Sequence, residues 1–208
     1  RAGSYVPEGG FLATVAQVVR EVKELAWSDE AEAFRLASLL ALANQACAST
    51  SILNYAPKVL EGLGAGDDAT LLSAALSLTK TCGVLASLLL VDRWGRRPLL
   101  VWGSLGCGAA MAGVAAAAAA RSLWLALGAM CAFVFAFSAS WAAVTWVLLS
   151  ELFSTRRKSA AAAAVTALLF AAGAACDMLF LTMAQAMGPS VFLVFGAVAL
   201  AGGGLVWL

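Results

Sequence analysis

The feature that most constrains this chain is a series of long apolar runs that contain almost no charge. A helix needs about 20 apolar residues to cross the hydrocarbon core of a bilayer, and runs of that length recur along the sequence. Only 12% of the residues are charged, which leaves few side chains to cover a water-facing surface. We therefore predict an all-α integral membrane protein. The same composition excludes a soluble domain, a disordered chain and a nucleic-acid binder.

Charges and turn residues divide the apolar sequence into six predicted spans with short connections. The runs lack the alternation typical of strands, and their alanine-rich stretches favour helix. Together the spans form a predicted membrane domain over residues 34–208. Their expected positions are about residues 36–57, 69–91, 98–120, 122–150, 159–183 and 188–208.

Residues 1–33 differ from the rest of the chain because they are polar and carry alternating charges. Apolar residues recur at helical spacing over residues 11–25, which predicts an amphipathic helix in a cytoplasmic linker. An ordinary linker is the alternative. The chain opens on Arg1 without a signal peptide and ends inside an apolar run, so we expect a piece of a longer protein.

Basic residues are concentrated in two of the predicted loops, and the positive-inside rule places those loops in the cytoplasm. Both termini then also face the cytoplasm, and we expect a multi-pass protein of the plasma membrane rather than of an internal membrane. The basic residues are Arg93, Arg96, Arg97, Arg156, Arg157 and Lys158.

The residue types of most catalytic and metal sites are scarce. Histidine is absent, and the five cysteines form no pair with metal-binding spacing. We therefore expect no enzyme activity, no cofactor and no metal site.

The loop after the second predicted span places charges in order around a glycine, as D-R-W-G-R-R over residues 92–97. Glycine permits a tight turn, and guanidinium groups can bind carboxylates on neighbouring helix ends. Ordinary positive-inside charge would explain the arginines but not their order. The order resembles a signature between paired helices of the major facilitator superfamily. The residues concerned are Asp92, Arg93, Gly95, Arg96 and Arg97.

Further segments resemble the sugar porters within this superfamily. The S-E-L-F segment that begins at Ser150, with the basic residues after it, resembles the box after their tenth helix. Asn44 and Gln45 stand where these proteins have a glutamine pair, and N-Y-A-P at 54–57 resembles their Y-Y-[AS]-P. The T-K-T segment around Lys80 is most similar to plant polyol and monosaccharide proton symporters. The resemblance implies that the six spans form the carboxy-terminal half of a major facilitator fold, whose partner is an absent amino-terminal six-helix half.

This resemblance implies proton-coupled transport of a polyol or monosaccharide by alternating access. Amide and hydroxyl groups suit a ligand with many hydroxyls because they donate and accept hydrogen bonds. For Asn44 and Gln45 the alternative is a helix-packing hydrogen bond, and for Trp146 it is a core aromatic. The candidate substrate-binding residues are Asn44, Gln45, Thr50, Tyr55 and Trp146.

Several positions depart from the family pattern. Trp146 stands at the place of a tryptophan of the sugar porters. The glycine- and proline-rich stretch that precedes it in the family is replaced by W-A-A-V-T at 141–145, so we expect a straighter helix there. Leu169 replaces a common asparagine. These departures support a second hypothesis, a truncated membrane interaction or sensor protein that does not transport.

Two further sets of charged residues are candidate functional residues. Lys80 and Asp177 lie within predicted spans, where an ionisable residue is by default functional, and we do not expect them to pair. At the cytoplasmic ends, we expect Glu151 to form a salt-bridge cluster with Arg96 or Arg97 and with Lys158. Such a cluster would close the cytoplasmic side, and static fixing of the loops is the alternative.

Overall fold

The computed structural model describes residues 30–47, 49–153 and 158–207, together with positions 20 and 23. Within these ranges all regular structure is helical and there is no strand. The predicted amphipathic helix of residues 11–25 lies outside the described ranges, apart from those two positions. Arg156 and Arg157 also lie outside them.

Eight α-helices follow one another along the described chain, with a π-helical segment at Ser138–Ala142 and 3-10 turns at Gly66–Asp68 and Gly188–Ser190. The α-helices are α1 Ala31–Ala46, α2 Ser49–Gly62, α3 Ala69–Trp94, α4 Arg96–Ala119, α5 Leu123–Phe137, α6 Ala143–Glu151, α7 Lys158–Met187 and α8 Val191–Trp207.

Five segments of the described chain are long and apolar enough to cross a membrane. The last of them, Lys158–Val206, contains both α7 and α8, which the turn at Gly188–Ser190 separates. The helix α7 continues to Met187, beyond the predicted span end at residue 183. Glycine has a positive φ of 58° at position 188, and a proline follows it, so the chain turns at this point.

The first predicted span is divided into two helices, because α1 ends at Ala46 and α2 begins at Ser49. The sequence that opens α2 is S-T-S, and hydroxyl side chains favour helix starts over helix interiors. Both helices lie within one segment that is long and apolar enough to cross a membrane, Ala31–Gly62, and the predicted span of residues 36–57 falls inside this segment.

The fourth predicted span contains the π-helical segment between α5 and α6. We expected a straighter helix because proline and glycine are absent, and the structure shows instead that a wide turn forms without them. The Ser140 hydroxyl donates to the Ala136 carbonyl at 2.6 Å, a bond of the kind that loosens helices. Sharp bends in helices commonly occur at π segments, and the span departs from a regular α-helix at this point.

The helix α4 lies at the centre of the packing, with its most extensive contacts to α8 and α5. Small residues permit this close approach. A Cβ atom built on Gly103 of α4 would overlap the side chain of Ser140, and one on Gly108 would lie 2.6 Å from Leu200 Cγ. By contrast, leucines spaced along α3 face outward, where a bilayer would cover them. Leu71 and Leu78 are 71% and 69% exposed.

Candidate functional site

The last turn of α1 carries two buried amides, Asn44 and Gln45. The Asn44 amide donates to the carbonyl of Trp141 at 3.1 Å and to Thr145 Oγ1 at 3.0 Å. Thr145 Oγ1 in turn donates to the same Trp141 carbonyl at 2.7 Å. In a π-helical turn the backbone hydrogen bonds join residues five apart instead of four. Here two side chains satisfy one of the carbonyl groups of the π segment. The Asn44 nitrogen thus makes the helix-packing bonds that we left open as its alternative role.

The indole of Trp141 is fully buried, and its Nε1 donates to Ser104 Oγ at 2.8 Å. This tryptophan is therefore part of the contact between the π segment and α4. Trp146, the predicted sugar-contacting aromatic, lies on α6 and is 50% exposed. It does not line the cavity described below.

The Gln45 side chain reaches towards α7 at a glycine. A Cβ atom built on Gly173 would lie 2.8 Å from Gln45 Nε2, so only glycine leaves room for the amide in this position. Within the described residues no hydrogen bond of the Gln45 amide to protein is found.

A cavity of about 180 Å³ lies between α2, α3 and the end of α5. It brings together two predicted candidates, Thr50 and Lys80, and adds Asn54, which we singled out only as part of a motif. Thr50 and Asn54 are four positions apart on one helix face, and that spacing could have identified Asn54. The lining residues are Thr50, Leu53, Asn54, Lys80, Phe133, Val134, Phe137 and Ser138.

Tyr55 lies apart from this cavity because five residues of α-helix rotate a side chain well away from Thr50. Its ring stacks on Phe180 with centroids 5.5 Å apart, and Lys58 Nζ lies 5.6 Å from the Tyr55 centroid. These three residues line a second cavity of about 250 Å³ beside Pro189. The predicted substrate residues therefore do not meet in a single cavity of the described chain.

Asp177 of α7 is only partly buried and accepts a hydrogen bond from the hydroxyl of Ser51. Ser51 is fully buried in the first turn of α2. This bond connects the start of α2 to α7. Asp177 is not among the residues that line the cavity with Lys80, and no ion pair joins the two residues in the described chain.

At the loop ends, the guanidinium of Arg96 binds both carboxylate oxygens of Glu151. This is the one ion pair among the described residues, and it joins the start of α4 to the end of α6. Lys158 is exposed and forms no ion pair with Glu151 in the described chain. The predicted pairing of Glu151 with Arg96 is thus present, and the predicted addition of Lys158 is not.

The other loop charges are exposed, namely Asp92, Arg93 and Arg97. Gly95 has φ 79° between α3 and α4, a backbone conformation that glycine adopts without a steric cost. As a result, Arg96 is the first residue of α4.

Among the described residues, no group of three Cys, Asp or Glu could hold a metal ion.

The family model described as "Sugar (and other) transporter" matches residues 13–208. The chain therefore belongs to this family of sugar porters within the major facilitator superfamily, which confirms the resemblance seen in the sequence. The relatives are transporters, so the expectation that the chain is not an enzyme is confirmed as well.

Among curated proteins, the chain is 32% identical to "Probable metabolite transport protein CsbC" of Bacillus subtilis over 77% of the chain and 36% of that protein. It is 38% identical to the "D-xylose-proton symporter" of Escherichia coli K12 over 55% of the chain and 24% of that protein. The chain thus spans roughly a third or less of the length of these relatives.

Among solved structures, the proton:xylose symporter XylE bound to 6-bromo-6-deoxy-D-glucose matches with a TM-score of 0.77 and 25% identity. The match covers 96% of this chain and 46% of that one. The predicted fold class, an all-α half of a major facilitator fold, is confirmed. The family is one of multi-pass integral membrane proteins.

Proposed function

We propose that this chain takes part in the transport of a monosaccharide or polyol across a membrane, with protons as the coupling ion. The observation that carries the proposal is the cavity between α2, α3 and α5, because it places hydroxyl and amide groups within apolar helices. Such groups are costly there unless a ligand or partner satisfies them. Proton coupling is proposed from relatives named as D-xylose-proton symporters.

Within the cavity, Thr50 and Asn54 supply hydrogen bonds to substrate hydroxyls, and Phe137 supplies an apolar wall. Gln45 contacts substrate from the end of α1, where its amide has no protein partner in the described chain. Asn44 holds the π segment in place beside it. Tyr55 and the half-exposed Trp146 border the substrate path where a second six-helix half faces this one.

Alternating access then moves this bundle against an amino-terminal partner half around the cavity. The bond between Arg96 and Glu151 holds α4 and α6 together at the cytoplasmic side while the other side is open. The exposed charges Asp92, Arg93, Arg97 and Lys158 contribute to the same surface. The protein resides in the plasma membrane.

Uptake of radiolabelled glucose, xylose and sorbitol at two external pH values tests this proposal. The chain is expressed alone and with any sequence encoded upstream of Arg1, and membrane insertion is verified for both. We expect uptake that rises at acidic pH. Absence of uptake by both correctly inserted forms would favour the hypothesis of a non-transporting interaction or sensor protein.

A pair of threonine variants locates the site. Thr50→Val removes one hydroxyl from the cavity wall, and we expect uptake to fall about tenfold because one ligand hydrogen bond is lost. Thr182→Val is the matched control, since Thr182 is exposed and bonds to Met178 within its own helix. Equal uptake by the two variants would show that Thr50 does not contact substrate.

Gly173→Ala tests Gln45 without altering it. The added methyl group must displace the end of the Gln45 side chain, which is flexible, so the fold should tolerate the change. We expect a raised KM for sugar with nearly unchanged thermal stability. An unchanged KM would show that the Gln45 amide does not contact substrate.

A further inference from the structure

Asp177 is an acidic residue inside a membrane span, and its carboxylate contacts the start of another helix. It lies in α7, and residues 178–187 follow it, which is about 15 Å of helix. The buried hydroxyl of Ser51, in the first turn of α2, donates a hydrogen bond to Asp177 Oδ1. An ionisable residue at such a depth is by default a functional candidate, and here the structure shows what it contacts.

The helix α7 contacts both sides of the interruption in the first span. One turn before Asp177, Gly173 faces the side chain of Gln45 at the end of α1. Asp177 itself accepts the bond from Ser51. Because residues four apart share a helix face, the last turn of α1 and the first turn of α2 both contact one face of α7. The Asp177 carboxylate therefore supplies a polar attachment for the start of α2.

The first turn of α2 also forms part of the proposed sugar cavity. Thr50 precedes Ser51 and lines that cavity, and Asn54 lines it one turn later. Neighbouring residues of a helix point about 100° apart, so this turn contacts Asp177 on one side and the cavity on another. Because the turn belongs to a hydrogen-bonded helix, a change in its attachment to α7 also moves Thr50.

A contact between a hydroxyl and a carboxyl group persists in both protonation states, but with different strength. Ser51 donates to the carboxylate, and its hydroxyl can also accept from the neutral acid. Hydrogen bonds to a charged group are roughly twice as strong as neutral ones. Protonation of Asp177 therefore weakens the attachment of α2 to α7, by about five- to tenfold in the equilibrium constant.

The other titratable groups around Asp177 come from the elements packed against α7. Glu61 and Glu151 lie at the ends of α2 and α6, and α8 has no ionisable side chain. Lys58 Nζ lies 5.6 Å from the Tyr55 ring centroid, at the second cavity. Besides the charged residues in the first two turns of α1 and the lysine that begins α7, the described groups are Cys47, Tyr55, Lys58, Glu61, Glu151 and Cys176. Asp177 is therefore the described carboxyl group of these elements that lies inside a span rather than at a helix end.

We propose that Asp177 binds a proton in the transport cycle, and that its protonation loosens the first turn of α2 from α7 and thereby changes the sugar cavity at Thr50. This inference rests on the proposed transport function and assigns a proton-binding residue to this half. The charged carboxylate holds α2 on α7, and the neutral acid releases it. Sugar movement through the cavity is therefore faster when Asp177 is protonated.

Exchange of labelled glucose, xylose or sorbitol tests this step in vesicles that hold the same compound at equal concentration on both sides, because no proton gradient is then needed. Rates are measured for the inserted protein from about pH 4 to pH 8, the range in which most protein carboxyl groups titrate. For the parent we expect exchange about five- to tenfold faster at the acidic end. Asp177→Asn carries no charge at any pH and should exchange at the fast rate throughout. Asp68→Asn is the matched control, because Asp68 is exposed in the 3-10 turn before α3, and it should keep the parent profile.

Ser51→Ala removes the donor and leaves the carboxyl group in place. It should also give fast exchange that does not depend on pH. The double variant should be no faster than either single variant, because all of them weaken the same bond. Ser38→Ala is the matched control, since the Ser38 hydroxyl donates to the Phe34 carbonyl within α1.

The outcomes separate this inference from the proposed function. If Asp177→Asn or Ser51→Ala keeps the parent profile, or if the parent rate does not change with pH, the inference is overturned and sugar transport stands. Loss of exchange at every pH in Asp177→Asn would also overturn it, since the residue would then serve the fold rather than the proton. No exchange of any of the three compounds by the inserted parent protein would refute the transport proposal.

Discussion

The bond from Asn44 to the π segment provides a quantitative test of the packing. Asn44→Leu keeps a similar size and removes two hydrogen bonds, one to Trp141 and one to Thr145. The Trp141 carbonyl retains its bond from Thr145, so no buried acceptor is left without a partner. A hydrogen bond in a membrane protein contributes about 0.6 kcal/mol on average and about 1.7 at most. We therefore expect the free energy of unfolding to fall by about 1–2 kcal/mol.

A double-mutant cycle with Thr145→Val measures the coupling between the two side chains, which includes their direct bond and their shared acceptor, the Trp141 carbonyl. One of the two bonds of Asn44 ends on Thr145, so the expected coupling is about 0.5–1 kcal/mol. Unfolding in mixed detergent micelles, followed by tryptophan fluorescence, provides the measurement. Asn44→Leu combined with Thr182→Val is the control cycle, because Thr182 bonds within its own helix.

A coupling below about 0.3 kcal/mol, equal to that of the control cycle, would refute the reasoning. A second result would also be informative. If Asn44→Leu leaves stability unchanged but weakens sugar binding, the amide serves the substrate rather than the contact between α1 and the π segment.

Two further predictions concern packing and charge. Gly103→Ala should lower the free energy of unfolding by about 1–3 kcal/mol, because the new methyl group overlaps the Ser140 side chain. Gly128→Ala, where a Cβ meets nothing within 4 Å, should be neutral or stabilising, and equal effects in thermal unfolding would contradict the packing. Glu151→Gln should cost no more than about 1 kcal/mol, since the paired side chains of Arg96 and Glu151 are 40% and 45% exposed. A larger loss in the same assay would contradict this energy estimate. An unchanged transport rate would contradict the assignment of the Arg96–Glu151 pair as a gate.

The helical membrane fold could be predicted because it depends on composition over long windows. Charge-free runs of about 20 residues determine where spans lie almost regardless of their detailed sequence. The ion pair of Arg96 with Glu151 was also predictable, since both residues occur at helix ends in motifs of fixed order. Which cations join the pair was not predictable, because that depends on how the packed helices place the loop ends in space.

The irregular positions could not be predicted by the same reasoning. A carbonyl of the π segment at Ser138–Ala142 accepts a hydrogen bond from Asn44 of another helix, and such a contact between distant positions is not visible in the local sequence. Proline and glycine are the usual sequence signals for such breaks, and the π segment has neither. Serine hydroxyls that bond to their own helix, as Ser140 does, are too common in sequences to be diagnostic.

The two irregular places are joined directly. Asn44 lies in the last turn before the break in the first span, and its amide binds a carbonyl of the π segment in the fourth. In an apolar environment, backbone groups freed by an irregular turn need partners within the protein, and a buried amide needs them equally. The Asn44 amide and the Trp141 carbonyl of the π segment therefore satisfy each other. A change that straightened the π segment would leave the Asn44 amide short of an acceptor, so it should weaken the contact between α1 and the π segment.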